Sequence, residues 1–155
     1  MKINGKTGIG NFLKILLEIC MVTGIGLLVL LIPILTSLKI EINFFTLLFY
    51  PCGVCFLILI YQFIGLFNSL KENQPFCKEN IKKLTLAMWM SFIICIIIIV
   101  ALIIACVIKI NYTSALKVCL GFLGLLFGGV GIALYILSEL FKTATTYKEE
   151  NELTI

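Results

Sequence analysis

The sequence contains no histidine, no aspartate and no arginine, so every basic side chain is a lysine and every acidic side chain is a glutamate. Without imidazole it lacks the side chain that most often serves as a general base or a zinc ligand. Without guanidinium it lacks the forked donor that binds phosphate or carboxylate through two hydrogen bonds. These absences remove the usual residue sets of hydrolases and metal enzymes. We therefore predict a non-enzymatic protein with no metal and no cofactor.

Charge of either sign is also scarce. Only 13% of the 155 residues are charged, while 61% are hydrophobic. Soluble domains are on average about 25% charged, because a water-facing surface has to be covered with polar groups. The composition therefore predicts an integral membrane protein.

Four long apolar segments predict four membrane-spanning helices, since one span needs about 20 apolar residues. The predicted spans are residues 12–38, 44–70, 84–108 and 115–141. We read the first as a retained span, because it is too long for the apolar part of a signal peptide and has no A-x-A-like cleavage site. The predicted fold is an all-α bundle of four transmembrane helices, forming a single membrane domain over residues 1–155.

The distribution of lysine predicts the orientation of this bundle. Nine of the twelve lysines lie near the N-terminus, in the central loop (residues 71–83) or in the C-terminal tail (residues 142–155), and three lie in the other two connections. Lysine-rich segments stay in the cytoplasm. We therefore expect both termini and the central loop, which includes a short loop helix, on the cytoplasmic side.

The fourth predicted span carries a stripe of small residues on one helical face. Its glycines stand three, four and three residues apart, at Gly121, Gly124, Gly128 and Gly131. Small residues allow close approach of helix backbones in lipid. The stripe predicts packing against another helix of the same bundle, with a dimerisation face of a homo-oligomer or a ligand groove as alternatives.

Two glutamates lie within apolar segments, and each has a lysine within reach on the same helix face. The pairs are Lys14 with Glu18 and Glu139 with Lys142. Both pairs fall at the predicted inner boundary of the membrane, so we interpret them as structural ion pairs between spans one and four. A proton or cation pathway is the alternative, because ionisable residues inside membranes are often functional.

Cysteine offers the one candidate for redox chemistry. Cys52 and Cys55 form a C-x-x-C motif near the outer end of span two, and Cys106 and Cys119 flank the second outer connection. This layout resembles quinone-coupled thiol oxidases, in which thiolates pass electrons from one pair to another. Against it stand the short outer connection, the absence of a cation other than lysine, and the use of cysteine elsewhere as a small apolar residue.

The central loop and the C-terminus carry two short motifs. PFCKENIKKL is similar to the P-F-x-x-x-N-x-x-x-L loop of the DUF2975 family of small bacterial membrane proteins, and SELFKTATTYKEENELTI resembles that family's closing segment. The matching residues are Pro75, Phe76, Asn80, Leu84, Glu139, Phe141, Glu150, Leu153, Thr154 and Ile155.

The resemblance implies four spans in a bacterial cell membrane and no established activity. It also implies a partner, because members are often encoded beside a very small helix-turn-helix regulator. We expect a membrane accessory protein whose loop and tail hold or signal to such a regulator, without binding nucleic acid itself. The expected contact residues are Pro75, Phe76, Asn80, Glu150, Leu153, Thr154 and Ile155. The alternatives are a small transporter or immunity-type protein for a peptide or lipid-like ligand, bound along the glycine stripe, and the thiol oxidase.

Overall fold

The computed structural model describes residues 8–37, 44–71, 77–107 and 114–153. These residues form four α-helices: α1 (Gly8–Ser37), α2 (Phe44–Lys71), α3 (Lys78–Val107) and α4 (Ser114–Leu153). Each helix is long and apolar enough to cross a membrane. The described part of the chain contains no strand. The predicted all-α fold with four candidate spans is therefore confirmed.

Two helix boundaries differ from the predicted spans in a way that matters for the site. α3 begins at Lys78, so the predicted loop helix is the first part of α3. α4 has 40 residues and continues through the charged tail as far as Leu153. At 1.5 Å per residue α4 is about 60 Å long, twice the thickness of a hydrocarbon core. The last part of α4 therefore extends beyond the membrane.

The helices pack in chain order. Among the described residues α1 contacts α2, α2 contacts α3, and α3 contacts α4, with the most extensive packing between α3 and α4. In the middle of that last pair the hydroxyl of Ser91, which is fully buried, donates a 2.7 Å hydrogen bond to the carbonyl of Phe127. Hydrogen bonds of this kind join helices within membranes, where no water competes for the groups.

The packed core lies in the half of the molecule next to the start of α3. It joins three helices, and its buried members are Leu59, Leu66, Leu84, Ala87, Met88 and Leu134. The other half, next to the end of α3 and the start of α4, encloses a cavity instead. The two halves therefore differ in packing: one is closely packed, and the other leaves space between the helices.

Candidate functional site

The first candidate site is formed where α3 begins and α4 ends. We call residues 77–83 and 142–153 the loop–tail platform. At 1.5 Å per residue the second segment extends about 18 Å past Phe141. The two segments are joined by an ion pair between Lys78 Nζ and Glu149 Oε1, 2.9 Å apart. Both side chains are mostly exposed, so the pair orients the two segments more than it stabilises them.

Buried polar groups fix the base of the platform. The hydroxyls of Thr85 on α3 and Ser138 on α4 are hydrogen-bonded at 3.1 Å. About two turns further along α4, Thr145 is buried and donates to the carbonyl of Phe141 at 2.8 Å. A buried hydroxyl is stable only when it is hydrogen-bonded. The contact between Thr85 and Ser138 holds α3 and α4 in one register, whereas the Thr145 hydroxyl is satisfied within α4.

Lys83 connects the platform to α2. Its ammonium group lies 2.8 Å from Glu79 Oε1 and donates a 3.5 Å hydrogen bond to Ser69 Oγ. Its aliphatic stem lies over Gly65, where a Cβ atom would be 3.4 Å from it. Glu79 lies in the polar first turn of α3, before the apolar segment begins, and its hydrogen bond with Lys83 lowers the pKa of its carboxyl.

Asn80 does not have the exposed position that a partner-contact residue needs. It is fully buried at the start of α3. Its backbone N–H donates to the carbonyl of Cys77 at 3.1 Å, which begins the helix. Contact of Asn80 with a partner stays a prediction, and the side chain that would make it is buried in this structure. Its sequence setting among lysines and glutamates indicated exposure, whereas its side chain is fully buried in the folded chain.

The platform surface includes one large aromatic residue that sequence reasoning did not select. Tyr147 is 64% exposed on the tail part of α4. Glu150, from the predicted contact set, is also exposed, and Leu153 is the last residue of α4. Pro75, Phe76, Thr154 and Ile155 lie outside the described residues. The sequence did contain a signal for Tyr147: it is an aromatic residue within a charged segment, and aromatic residues are enriched at protein interfaces.

The glycine stripe of α4 packs against α3. A Cβ atom at Gly131 would lie 2.9 Å from the Phe92 ring, and one at Gly124 would lie 3.3 Å from Ile98. At Gly128 the nearest atom is Cys95 Sγ, at 3.4 Å, and Gly121 faces Leu102 at 4.0 Å. The ligand groove predicted along this stripe is therefore occupied by α3.

The two predicted ion pairs lie within single helices. Lys14 Nζ and Glu18 Oε1 are 3.5 Å apart on α1, and Lys142 Nζ and Glu139 Oε1 are 3.5 Å apart on α4. The expectation that Glu139 pairs near span one is wrong, because in the described ranges α4 packs against α3 and α1 packs against α2. In the described ranges α1 and α4 do not pack against each other, although side chains of both line the cavity described below.

The second candidate site is the cavity in the open half of the molecule. It has a volume of about 570 Å³, is partly open to the surroundings and is lined by side chains from all four helices. Its surface is almost entirely apolar. Lys117 is the one charged residue that lines it within the described part of the chain. At its inner end the rings of Phe56 and Phe127 meet edge to face, with centroids 6.1 Å apart.

The cysteines are free thiols. Cys52 is half-buried and lines the cavity, whereas Cys55, also half-buried, does not. Cys106 and Cys119 are exposed. Within the described ranges no group of three or more cysteines and glutamates is placed to hold a metal ion. The thiol-oxidase reading stays a prediction, and serine at both Cys52 and Cys55 with no loss of phenotype would eliminate it.

Four membrane-length helices packed in chain order, with a polar platform at one end and an apolar cavity at the other, define a multi-pass helical membrane protein. The chain belongs to the DUF2975 family, described as proteins of unknown function, whose model matches residues 31–155. The match begins inside α1 and includes all of α2, α3 and α4. Neither the curated proteins nor the solved structures contain a match to this chain.

Proposed function

We propose that this protein is a non-enzymatic accessory protein of a bacterial cell membrane that holds a small cytosolic helix-turn-helix regulator on its loop–tail platform. One observation supports this most directly: α4 continues as a helix for about three turns after Phe141 and is joined to the start of α3 by Lys78 and Glu149. A loop that only linked two spans, and a tail that only followed the last span, would need no such ordered extension.

The chemistry of the platform suits capture of a protein. Exposed aromatic side chains contribute most to protein interfaces, and charged groups around them steer the encounter. Here Tyr147 is surrounded by lysines and glutamates, including Lys148 and Glu150. The lysine distribution favours a cytosolic platform, because the central loop and the tail belong to the lysine-rich set of segments.

The test is co-purification from native membranes. We compare the full-length chain with a chain ending at Thr146, which lacks Tyr147 and Glu149 but keeps all four apolar segments. The full-length chain is expected to retain a small helix-turn-helix protein, identified by peptide mass spectrometry, and the shortened chain is expected to lose it. Equal recovery of that protein with both chains contradicts the proposal, as does its absence from both.

Exchanging the two charges of the ion pair shows whether Lys78 and Glu149 act by orienting the platform or by contacting the partner directly. K78E places two glutamates side by side and E149K two lysines, so each single variant is expected to reduce recovery of the regulator severalfold. The double variant K78E/E149K re-forms the ion pair with its charges exchanged and is expected to restore recovery. If the double variant remains as weak as the single ones, Lys78 or Glu149 contacts the partner directly.

A further inference from the structure

The apolar cavity is separate from the loop–tail platform. It lies in the opposite half of the molecule and is lined by all four helices. Its volume of about 570 Å³ falls within the range of roughly 300–1,000 Å³ that is usual for small-molecule sites. A space of this size within a membrane is filled by some molecule, and its shape and lining indicate which kind.

The depth of the cavity matches one leaflet of a bilayer. Along α4 its lining extends from Lys117 to Phe127. Ten residues of helix are about 15 Å, which is half of a hydrocarbon core of about 30 Å. Along α3 the lining extends over a similar length, from Ile94 to Ala105. A hydrocarbon chain from that leaflet therefore fits lengthwise between the helices.

The lining favours hydrocarbon over peptide. Nearly all of its surface is apolar, with Leu28, Ile97 and Leu120 among its side chains. A peptide backbone placed there would leave N–H and C=O groups without partners, at a cost of several kcal/mol for each group in the absence of water. An acyl chain has no such groups.

Lys117 determines which headgroup suits the site. It stands at the outer end of the lining of α4, one turn from the start of the helix. It makes no ion pair within the described part of the chain, unlike Lys14, Lys78, Lys83 and Lys142. From this end of the lining the flexible lysine side chain can reach the headgroup of a lipid whose chain lies in the cavity.

We infer that this cavity binds one acyl chain of an anionic membrane phospholipid, with the headgroup held by Lys117. The lipid comes from the leaflet on the side of the molecule opposite the loop–tail platform. Chain and headgroup are recognised separately: the four helices enclose the chain, and Lys117 selects for negative charge.

The inference is tested by native mass spectrometry of the full-length protein. The protein is released from micelles that contain phosphatidylglycerol and phosphatidylcholine with identical chains in equal amounts. One lysine near the membrane surface contributes about 1 kcal/mol of attraction to anionic lipid, so the wild type is expected to prefer phosphatidylglycerol about fivefold. K117Q is expected to bind both lipids equally. K14Q, which removes a lysine on α1 far from the cavity, is expected to keep the preference.

A second pair of variants tests the position of the chain. Leu123 lines the cavity, whereas Leu125 lies on the same helix, is mostly exposed and is absent from the lining. L123W fills the cavity and is expected to lose bound lipid of both kinds, while L125W keeps it. The inference is overturned by a wild type without lipid preference, by equal effects of the two tryptophans, or by a lipid-free dimer whose second copy fills the cavity.

Discussion

Replacing Gly131 by leucine is expected to lower the free energy of unfolding by about 1–3 kcal/mol, the usual cost of forcing extra atoms into a packed interface. Gly131 is buried, and already a Cβ atom there would lie 2.9 Å from Phe92 Cε1, with two further ring atoms at 3.1 Å. A leucine has to push the ring away. Because α3 and α4 form the most extensive helix pair, their separation affects the whole protein.

Gly129 provides the matched control. It is exposed on the same helix, and a Cβ atom there would meet nothing within 4 Å. G129L is therefore expected to leave stability unchanged or to raise it by less than about 1 kcal/mol, since leucine has a higher helix propensity than glycine. Both variants are compared by reversible unfolding in mixed micelles with increasing SDS, followed by circular dichroism. Equal stability of G131L and G129L contradicts the packing of the stripe on α3.

Replacing Leu84 by alanine is expected to have the second large effect. Leu84 is 2% exposed in the packed core, at the membrane end of the platform. In water, such truncations cost about 2–5 kcal/mol, as the sum of a transfer term and a cavity term. In lipid the transfer term is small, because the separated helices are already in an apolar medium. The cavity term remains, so we expect a loss near the lower end, about 2 kcal/mol.

Leu86 is the control for this change. It lies two residues further along α3 and is 39% exposed, so L86A leaves a smaller gap that lipid can fill. The same SDS titration is expected to show L84A clearly less stable than L86A. Equal stability of L84A and L86A would contradict the tight packing around Leu84 that the structure shows.

The sequence predicts the helices of this protein well, because helix formation in a membrane depends on local composition. A run of about 20 apolar residues has to satisfy its own backbone groups, and the four runs here do so as helices. The glycine spacing of α4 likewise indicated a packing face, and the structure assigns α3 to it. These features follow from residues near one another in the chain.

The features missed by sequence reasoning depend on how helices meet. Asn80 looks exposed in a segment rich in lysine and glutamate, yet it is fully buried in the folded chain. The cavity leaves no pattern in any single helix, because it arises where all four helices leave space between them. The order of packing was equally hidden: in the described ranges α1 packs against α2 only, so Glu139 of α4 was expected near the wrong helix.

The central claim is that the tail part of α4 receives a cytosolic regulator, and site-specific photocrosslinking tests it most directly. Tyr147 and Tyr135 are both exposed on α4, at 64% and 54%. They are twelve residues apart, or about 18 Å, with Tyr135 in the apolar segment and Tyr147 on the platform. A photoreactive phenylalanine analogue replaces one or the other in cells.

The account predicts that the analogue at position 147 crosslinks to a small helix-turn-helix protein and that the analogue at position 135 crosslinks only to lipid or to other membrane proteins. The same regulator captured equally at both positions, or at neither, would contradict the account.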